Sequence, residues 1–315
     1  MVAKVFIDGE AGTTGLQIRE RLAGRRDLEL VSIATDKRKD QSERKRLLNA
    51  ADVAILCLPD DAAKESVALI ENDTTKVIDA STAHRVADGW AYGFPELTRE
   101  HAATIARSRR VANPGCWPQG AIATLRPLLD AGLLPADVSI TMNGISGYSG
   151  GGRTMIEEYE AQGENANEFL PYGLGLAHKH LPELRKYAGL TSRPLFQPAV
   201  GNFRQGMLTL VPLQLSTLAR VPRGAEIHAA LADYYSDLPG SFLDVAPLSA
   251  IERSAELNPE LYNDTNRMRL HVFANDDHAQ ALLVAVYDNL GKGASGAAVQ
   301  NLNLLLGVDP KTSLS

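Results

Sequence analysis

The sequence predicts an α/β protein built from two domains. Over the first third of the chain, short apolar runs alternate with helical patterns, and glycines cluster between the first run and the first helix. The pattern changes near Cys116, after which long strand-like runs follow one another. Alternating strands and helices are typical of a parallel sheet with helices on its faces. The length of 315 residues fits one large domain or two ordinary ones.

The elements follow in chain order from this apolar patterning. In the first part we expect strands at 2–7, 28–33, 53–58, 76–79 and 110–112, with helices at 15–23, 41–48 and 61–71. In the second part we expect a helix at 120–131 and strands at 138–142, 208–215, 268–273 and 280–286. The last two strands should be antiparallel neighbours because so few residues separate them. A final helix is expected at 295–306, with Ser295 as its N-cap.

The composition is that of a folded protein that acts on small molecules. Hydrophobic residues make up 44% of the chain and charged residues 22%, which is close to the globular average. The net charge of −6 and the lack of a basic tract argue against a nucleic-acid partner. Two cysteines cannot build a disulfide framework or a four-sulfur zinc site, so we expect a reducing compartment and no metal.

The chain also carries no sequence signal for membrane or secretion. No basic and apolar leader precedes the first strand, and no apolar stretch reaches the roughly 18–20 residues that span a bilayer. We therefore expect a cytoplasmic protein with no membrane partner.

The glycine cluster at residues 9–15 reads GEAGTTG and lies between the first strand and a helix. Glycines let the backbone approach a pyrophosphate, whose charge then lies on the N–H groups of the helix N-terminus. The spacing is GxxGxxG, a variant of the usual GxGxxG, and a plain tight turn is the alternative. We interpret Gly9, Gly12 and Gly15, with Thr13 and Thr14, as a cofactor site in a Rossmann-type dinucleotide-binding domain.

The end of the second strand carries charges that bear on which dinucleotide binds. Asp36 can hold the ribose 2′-hydroxyl of NAD, whereas Lys37, Arg38 and Lys39 can hold the 2′-phosphate of NADP. Three cations outweigh one carboxylate, so the sequence favours NADP. A solvated surface turn is the alternative.

Cys116 is the candidate nucleophile. It follows the turn Asn113-Pro114-Gly115 at the point where a strand gives way to a helix. A helix N-terminus favours the reactive thiolate, and its N–H groups can stabilise an oxyanion. A buried, inert cysteine is the alternative, and Cys57 within an apolar strand is assigned to that class.

His178 and His180 are the candidate acid/base residues. Pro182 restricts Leu181 to an extended conformation, and two histidines two apart in an extended segment face the same side. In a helix they would lie roughly 200° apart and could not converge. A helix-capping or surface role for either histidine stays open.

The segment 145–153, which is rich in glycine and serine and ends at Arg153, is a candidate anion site. Glycine and serine expose backbone N–H groups, and a guanidinium grips a phosphate or carboxylate in fork geometry. We expect Ser149, Gly150 and Arg153 to bind substrate. A flexible connection between two elements is the alternative.

Taken together, these segments resemble the short-form N-acetyl-gamma-glutamyl-phosphate reductases, which are arginine-pathway relatives of aspartate-semialdehyde dehydrogenase. The resemblance covers nearly the whole chain and rests on five segments, 9–15, 78–85, 113–116, 178–183 and 287–294. Their order along the chain makes the match specific. A different acyl phosphate, such as aspartyl phosphate, and a dinucleotide-binding regulator with a redox-sensing Cys116 are the alternatives.

The resemblance implies NADPH-dependent reduction of an acyl phosphate to an aldehyde, through a thioester on the cysteine. It makes Cys116 the nucleophile and His180 the acid/base, with His178 beside it. It also assigns further positions: Ser81 and Arg85 near the cofactor, and Asn289 facing the nicotinamide. We further expect Glu183 to bind substrate, together with Ser149, Gly150 and Arg153. The dinucleotide-binding domain would comprise 1–116 and 287–315, and an α+β catalytic and dimerisation domain 117–286, in a homo-oligomer (dimer or tetramer).

Overall fold

The first strand shows how the N-terminal sequence builds its sheet. The computed structural model describes residues 2–248 and 257–315. In β1 (Ala3–Asp8), Val5 and Ile7 enter the core on one face of the sheet, while Phe6 enters the core on the other face. A continuous apolar run of this kind fits a parallel sheet that is covered on both sides.

The first sheet is parallel throughout. Its strand order is β2-β1-β3-β4-β6-β5, and its other strands are β2 (Leu28–Val31), β3 (Val53–Leu56), β4 (Lys76–Asp79), β5 (Ala91–Tyr92) and β6 (Arg110–Ala112). The helices that cover it include α1 (Thr13–Leu22), α2 (Gln41–Ala50), α3 (Asp60–Leu69) and α4 (His101–Arg107). This topology confirms the predicted Rossmann-type α/β fold.

The strand order reverses direction between β1 and β3, which places the glycine loop at the point where such sheets bind ligands. The loop follows β1, and Gly9 lies against the carbonyl of Cys57, the residue after the end of β3. Helix α1 begins at Thr13, two residues before the predicted start at Gly15. Ligands of open α/β sheets bind outside the carboxyl ends of the strands at such a reversal.

The second sheet is mixed. Its order is β11-β12-β13-β10-β7-β9-β8, with β7 (Thr141–Gly147), β8 (Phe169–Pro171), β9 (Leu195–Gly201), β10 (Met207–Gln214), β11 (Leu243–Val245), β12 (Met268–Asn275) and β13 (Gln280–Tyr287). β12 and β13 are antiparallel neighbours, as predicted. The expected strand at 138–142 is wrong at both ends, since β7 begins at Thr141 and continues to Gly147.

The helices of this second part are α5 (Cys116–Asp130), α6 (Gly152–Gln162), α7 (Leu181–Ala188) and α8 (Gly224–Tyr235). α5 packs on β10, β12 and β13, and α7 and α8 pack against α5. Pro127 lies inside α5 and cannot donate to the carbonyl of Ala123 one turn earlier. The Tyr235 hydroxyl donates to that carbonyl at 2.8 Å instead, so the helix continues without an unsatisfied buried oxygen.

The chain divides into two compact units. The first unit comprises Met1–Gly115 with Ala294–Ser315, and the second comprises Cys116–Gly293. The predicted functional division, with 287–315 in the dinucleotide-binding domain, stays a prediction. The last helix, α9 (Gly296–Leu306), is buried in the core of the first unit through Val299, Leu302 and Leu305.

The start of α9 differs from the predicted N-cap. Ser295 makes no side-chain cap, and residues Gly291–Ser295 form a π-helical turn ahead of α9. The Ser295 hydroxyl instead donates to Gln17 and accepts from Arg21, both in α1. The serine therefore joins two helices of the first unit rather than capping one.

Across residues 2–248 and 257–315, we find no helix long and apolar enough to cross a membrane.

Gly9→Ala is expected to destabilise the protein more than Gly24→Ala. Both glycines have positive φ, +90° and +82°, which costs an alanine about 1–2 kcal/mol. At Gly9 the new Cβ would also lie 2.3 Å from the Cys57 carbonyl oxygen, whereas nothing lies within 4 Å at Gly24. We expect a further ~1–3 kcal/mol at Gly9, measured as a lower urea midpoint. Equal midpoints for the two variants would show that the loop shifts at no cost.

Candidate active site

The glycine loop turns tightly ahead of the N-terminus of α1. A Cβ at Gly15 would lie 2.6 Å from the Gly9 carbonyl oxygen, so the loop closes tightly on itself. Gly12 is the N-cap of α1, and no side chain caps the helix. A helix N-terminus without a side-chain cap, behind a glycine loop, fits a phosphate group of a dinucleotide.

The charged segment after β2 forms a short 3₁₀ turn at Thr35–Lys37. Asp36, Lys37 and Arg38 are exposed there. The guanidinium of Arg38 approaches the carboxylate of Glu10 in the glycine loop, with 3.5 Å between Nη2 and Oε1. The structure thus brings one of the predicted phosphate-binding cations to the loop itself.

Ser81 and Arg85 are engaged within the first unit. The backbone N–H and hydroxyl of Ser81 both donate to the buried carboxylate of Asp79, at 2.9 and 2.7 Å. Arg85 is buried, and its guanidinium donates to the carbonyls of Asn113 and Ala80. Both side chains therefore hold the loops that follow β4 and β6.

Cys116 is the first residue of α5, four residues before the predicted start of that helix. The longer helix includes Pro118, which is tolerated because the first-turn N–H groups have no helical partner. The hydroxyl of Tyr287 donates to the Cys116 carbonyl at 2.7 Å. A Cβ at Gly293 would lie 3.0 Å from that of Cys116, so glycine at 293 leaves the space that the cysteine occupies.

Aromatic side chains connect the start of α5 to the two histidines. We call Trp117, Tyr172, His178, His180 and Phe196 the histidine–aromatic cluster. Trp117 Nε1 donates to the Tyr172 hydroxyl at 2.9 Å, and the Trp117 and Phe196 rings lie 5.3 Å apart. His178 packs edge-on against Phe196 at 5.0 Å and against His180 at 4.7 Å.

The extended backbone predicted for the two histidines is wrong. His180 has φ −85° and ψ −8°, in a turn that leads directly into α7, and the N–H of Leu181 donates to the His178 carbonyl. The backbone N–H of His180 donates to Nδ1 of His178 at 3.2 Å. The two rings are neighbours, as an extended chain would also have made them, but here it is the turn that brings them together.

Two tyrosine hydroxyls lie close to the cysteine, and the sequence predicted neither. Burial raises the pKa of Tyr172 and of Tyr287 well above the ordinary value, and the charge of Cys116 adds to both shifts. Both side chains therefore stay protonated at neutral pH and act as O–H donors. Tyr287 opens the segment 287–294, but nothing in the sequence connects either tyrosine with the cysteine, because both lie far from it along the chain.

The glycine-serine segment is less open than expected. The N–H groups of Gly147, Tyr148 and Ser149 donate to the carbonyls of Gly206, Phe203 and Arg204, so they are not available to an anion. The buried Ser149 hydroxyl accepts from Asn289 Nδ2 at 3.0 Å, and Asn289 Oδ1 accepts from the N–H of Gly206 at 2.7 Å. Ser149 and Asn289 thus fix the segment in place.

The remaining predicted substrate residues differ in exposure. Gly150 and Arg153 are exposed, with Arg153 in the first turn of α6. Glu183 is buried in the first turn of α7, three residues after His180. Its charge adds to the effect of burial in raising the pKa of Tyr187 to about 12. Arg153 and Gly150 are therefore accessible to solvent, whereas Glu183 is enclosed by the fold.

Comparisons with known proteins agree with this fold. Residues 4–105 match the family model of the semialdehyde dehydrogenase NAD binding domain. Residues 116–289 match the model of the semialdehyde dehydrogenase dimerisation domain. These matches define the class of the protein as a semialdehyde dehydrogenase, an NAD(P)-binding oxidoreductase.

Relatives narrow the class further. The chain is 70% identical to the N-acetyl-gamma-glutamyl-phosphate reductase of Chelativorans sp. (strain BNC1), over 97% of this chain and 99% of that protein. It is 68% identical to the reductase of the same name from Mesorhizobium japonicum, over 98% and 100%. The chain belongs to the N-acetyl-gamma-glutamyl-phosphate reductase family.

Solved structures show the same fold at low identity. Aspartate semialdehyde dehydrogenase II from Vibrio cholerae matches with a TM-score of 0.70 at 17% identity, over 98% of this chain and 99% of that one. The aspartate semialdehyde dehydrogenase with NADP from Candida albicans matches with a TM-score of 0.69 at 16% identity, over 99% of each chain. The two-domain fold is therefore that of the semialdehyde dehydrogenases.

Thiol alkylation at pH 8 is expected to modify Cys116 and spare Cys57. Desolvation, with the carboxylates of Asp79 and Asp8 nearby, raises the pKa of Cys57 to about 12, so only about one molecule in 10⁴ carries that thiolate at pH 8. Cys116 begins a helix, where the thiolate is favoured. Peptide mass spectrometry after iodoacetamide measures both sites, and both should react in denaturant. Equal modification of the two in the folded protein would contradict the assignment.

Proposed function

We propose that this protein reduces N-acetyl-γ-glutamyl 5-phosphate to N-acetylglutamate 5-semialdehyde and phosphate with NADPH, in arginine biosynthesis. Relatives that are 54–70% identical over nearly the whole chain carry this activity in their names. The observation that carries the proposal in this chain is Cys116 at the first position of α5, beside the histidine–aromatic cluster. A nucleophile, a proton carrier and hydroxyl donors are what acyl transfer to a thiol requires.

In the first half-reaction, the Cys116 thiolate attacks the acyl carbon of the substrate. The new C–S bond forms as the C–O bond to phosphate breaks, and phosphate leaves with the electron pair of that bond. The product is a thioester on Cys116. The N-terminal end of α5 favours the thiolate, and its first-turn N–H groups can donate hydrogen bonds to the developing oxyanion.

In the second half-reaction, the thioester carbon becomes the carbon of an aldehyde. NADPH, when bound, supplies a hydride for this reduction. The resulting oxyanion takes a proton from His180 to give the neutral thiohemiacetal. His180 takes that proton back as the C–S bond breaks, so the aldehyde leaves and Cys116 regains its thiolate. Tyr172 keeps its proton and can donate a hydrogen bond to the oxygen or the sulfur, because its own oxygen already accepts from Trp117 Nε1.

The hydrogen bond between the histidines supports His180 as the acid/base. Nδ1 of His178 accepts the backbone N–H of His180, so a neutral His178 carries its proton on Nε2. Protonating Nδ1 would break that bond, which opposes a positive charge on His178. His180 is therefore the acid/base, and His178 orients it by holding its backbone and ring.

One group of residues is proposed to contact the cofactor or the substrate directly. Gly9, Gly12 and Gly15, with Thr13 and Thr14, hold the pyrophosphate at the start of α1, and Lys37 and Arg38 hold the 2′-phosphate of NADP. Arg153 is exposed, as is Gly150 three residues earlier, and its guanidinium binds the substrate carboxylate or phosphate.

Several buried residues support that binding from behind. Ser81 and Arg85 hold the loops after β4 and β6. Ser149 and Asn289 hold the segment before α6. Glu183 supports the start of α7. In this proposal these five side chains shape the binding surfaces through the backbone that they fix.

The protein forms a homo-oligomer in this proposal, through the second sheet. One face of that sheet is covered by α5 and α8, but the other carries partly buried apolar side chains, among them Leu208, Leu210, Phe273 and Leu282. A sheet with apolar residues on its open face is typical of a dimerisation surface. The match to a dimerisation domain over 116–289 supports this surface.

The reverse reaction tests the activity. We expect NADP⁺ reduction with N-acetylglutamate 5-semialdehyde and phosphate, and little with aspartate semialdehyde or NAD⁺. Cys116→Ser should bind cofactor normally and lose activity at least about 10³-fold, because a serine hydroxyl lacks thiolate character. Turnover near that of the unmodified protein in Cys116→Ser would exclude the thioester scheme.

Matched histidine variants and the two alternatives complete that experiment. His180→Gln should lower kcat by about 10²–10⁴-fold, and His178→Gln by less. Preferred turnover of aspartate semialdehyde would assign the other acyl phosphate. Cofactor binding with no turnover of either aldehyde would favour a redox-sensing regulator.

Leu210→Glu on the open sheet face is expected to convert the oligomer to smaller species, because a buried charge without a partner is costly. Val221→Glu is the control, since Val221 is exposed outside the sheet. Light scattering after size-exclusion chromatography measures both masses. An unchanged mass for Leu210→Glu would place the interface elsewhere.

A further inference from the structure

The glycine loop contains a carboxylate that is bound by cations. Glu10 is 8% exposed although it lies in a loop at the edge of the sheet. Its Oε2 accepts from Arg19 Nη1 at 2.6 Å and from the Ser32 hydroxyl at 3.2 Å. Its Oε1 approaches Nη2 of Arg38 at 3.5 Å. Three elements therefore converge on one carboxylate: helix α1, the end of β2 and the turn after it.

The two arginines are held unequally. Arg19 Nη1 donates to Glu10 at 2.6 Å and to the Ser32 hydroxyl at 3.0 Å. Arg38 reaches Glu10 only at 3.5 Å, the outer limit of a hydrogen bond. The two side chains are similarly exposed, 50% and 41%, so the difference lies in their bonds to Glu10. Arg19 thus neutralises Glu10, and the charge of Arg38 stays available to a further anion.

Glu10 and its two arginines lie near the end of β2, where the ribose of a dinucleotide is expected. Ser32 directly follows β2, and the adenosine ribose of a dinucleotide lies at the end of that strand in Rossmann folds. A carboxylate there binds the free 2′-hydroxyl of NAD and repels the 2′-phosphate of NADP, whereas an arginine attracts that phosphate. Glu10 and Arg38 are one group of each kind. The cation that binds Glu10 therefore decides whether the site favours NADPH or NADH.

We propose that Arg19 sets the preference for NADPH over NADH by neutralising Glu10. With Glu10 bound to Arg19 and Ser32, Arg38 meets the 2′-phosphate without an opposing carboxylate. Without Arg19, Glu10 repels the phosphate and competes for Arg38. Arg19 acts through Glu10 and is a positioning residue for the cofactor. This inference rests on the proposed function, which takes NADPH as the cofactor and Arg38 as a ligand of its 2′-phosphate.

Direct titration of the purified full chain with NADPH and with NADH tests the proposal, because the fluorescence of the reduced nicotinamide reports binding without any acyl substrate. Arg19→Gln should raise the Kd for NADPH about tenfold and leave the Kd for NADH within about twofold or lower it. The Glu10→Gln/Arg19→Gln double variant should recover NADPH binding to within about threefold of the unmodified protein. Arg19→Lys, which keeps the charge, should stay close to the unmodified protein.

Arg26→Gln is the matched control, because Arg26 is exposed beyond the C-terminal end of α1 and loses the same charge. It should change neither Kd. Equal weakening of NADPH and NADH by Arg19→Gln would overturn the proposal, as would a double variant as weak as Arg19→Gln, since Arg19 would then contact the phosphate itself. Binding of neither dinucleotide by the unmodified protein would overturn the proposed function as well, which separates the two failures.

Discussion

The first unit depends on one close approach that only glycine allows. At Gly9 the backbone turns with positive φ directly against the carbonyl that follows β3. That contact fixes the loop at the reversal of strand order, and the loop in turn fixes where α1 begins and where Glu10 points. The binding surface for a dinucleotide is therefore set by the absence of a side chain, and charge enters only at the residues around it.

In the second unit, hydrogen bonds and aromatic packing position the start of α5. The candidate nucleophile, Cys116, is the first residue of α5. This helix is buried on almost every side, and a tyrosine replaces the hydrogen bond that is lost at Pro127. Tyr287 holds the first carbonyl of that helix, and Trp117 leads through Tyr172 to the histidines. Aromatic hydroxyls and rings thus locate the thiol, and their burial keeps the hydroxyls protonated over the whole range in which a histidine exchanges protons.

Local patterns predicted much of this, and contacts between distant residues account for what they missed. The strands of the parallel sheet, the glycine loop and the β12–β13 pair follow from apolar runs and turn residues that lie within a few positions of one another. The conformation at His180 does not follow from local sequence, because Pro182 is equally compatible with an extended chain and with a turn ahead of α7. The proximity of Tyr172 and Tyr287 to Cys116 could not be predicted, because it results from how distant parts of the second unit pack together. Glu10 was visible as a charge in the loop, but its partners Arg19 and Ser32 come from separate elements.

The placement of α9 bears on how the chain folds during synthesis. The first unit takes its first 115 residues from the start of the chain and its covering helix from Ala294 onwards. Val299, Leu302 and Leu305 fill the same core as Val5 and Ile7. As the chain emerges from the ribosome, one face of the first sheet stays without its last helix until the whole second unit has been made. The second unit is continuous in sequence and can fold while it is still being translated, so the part made first is completed last.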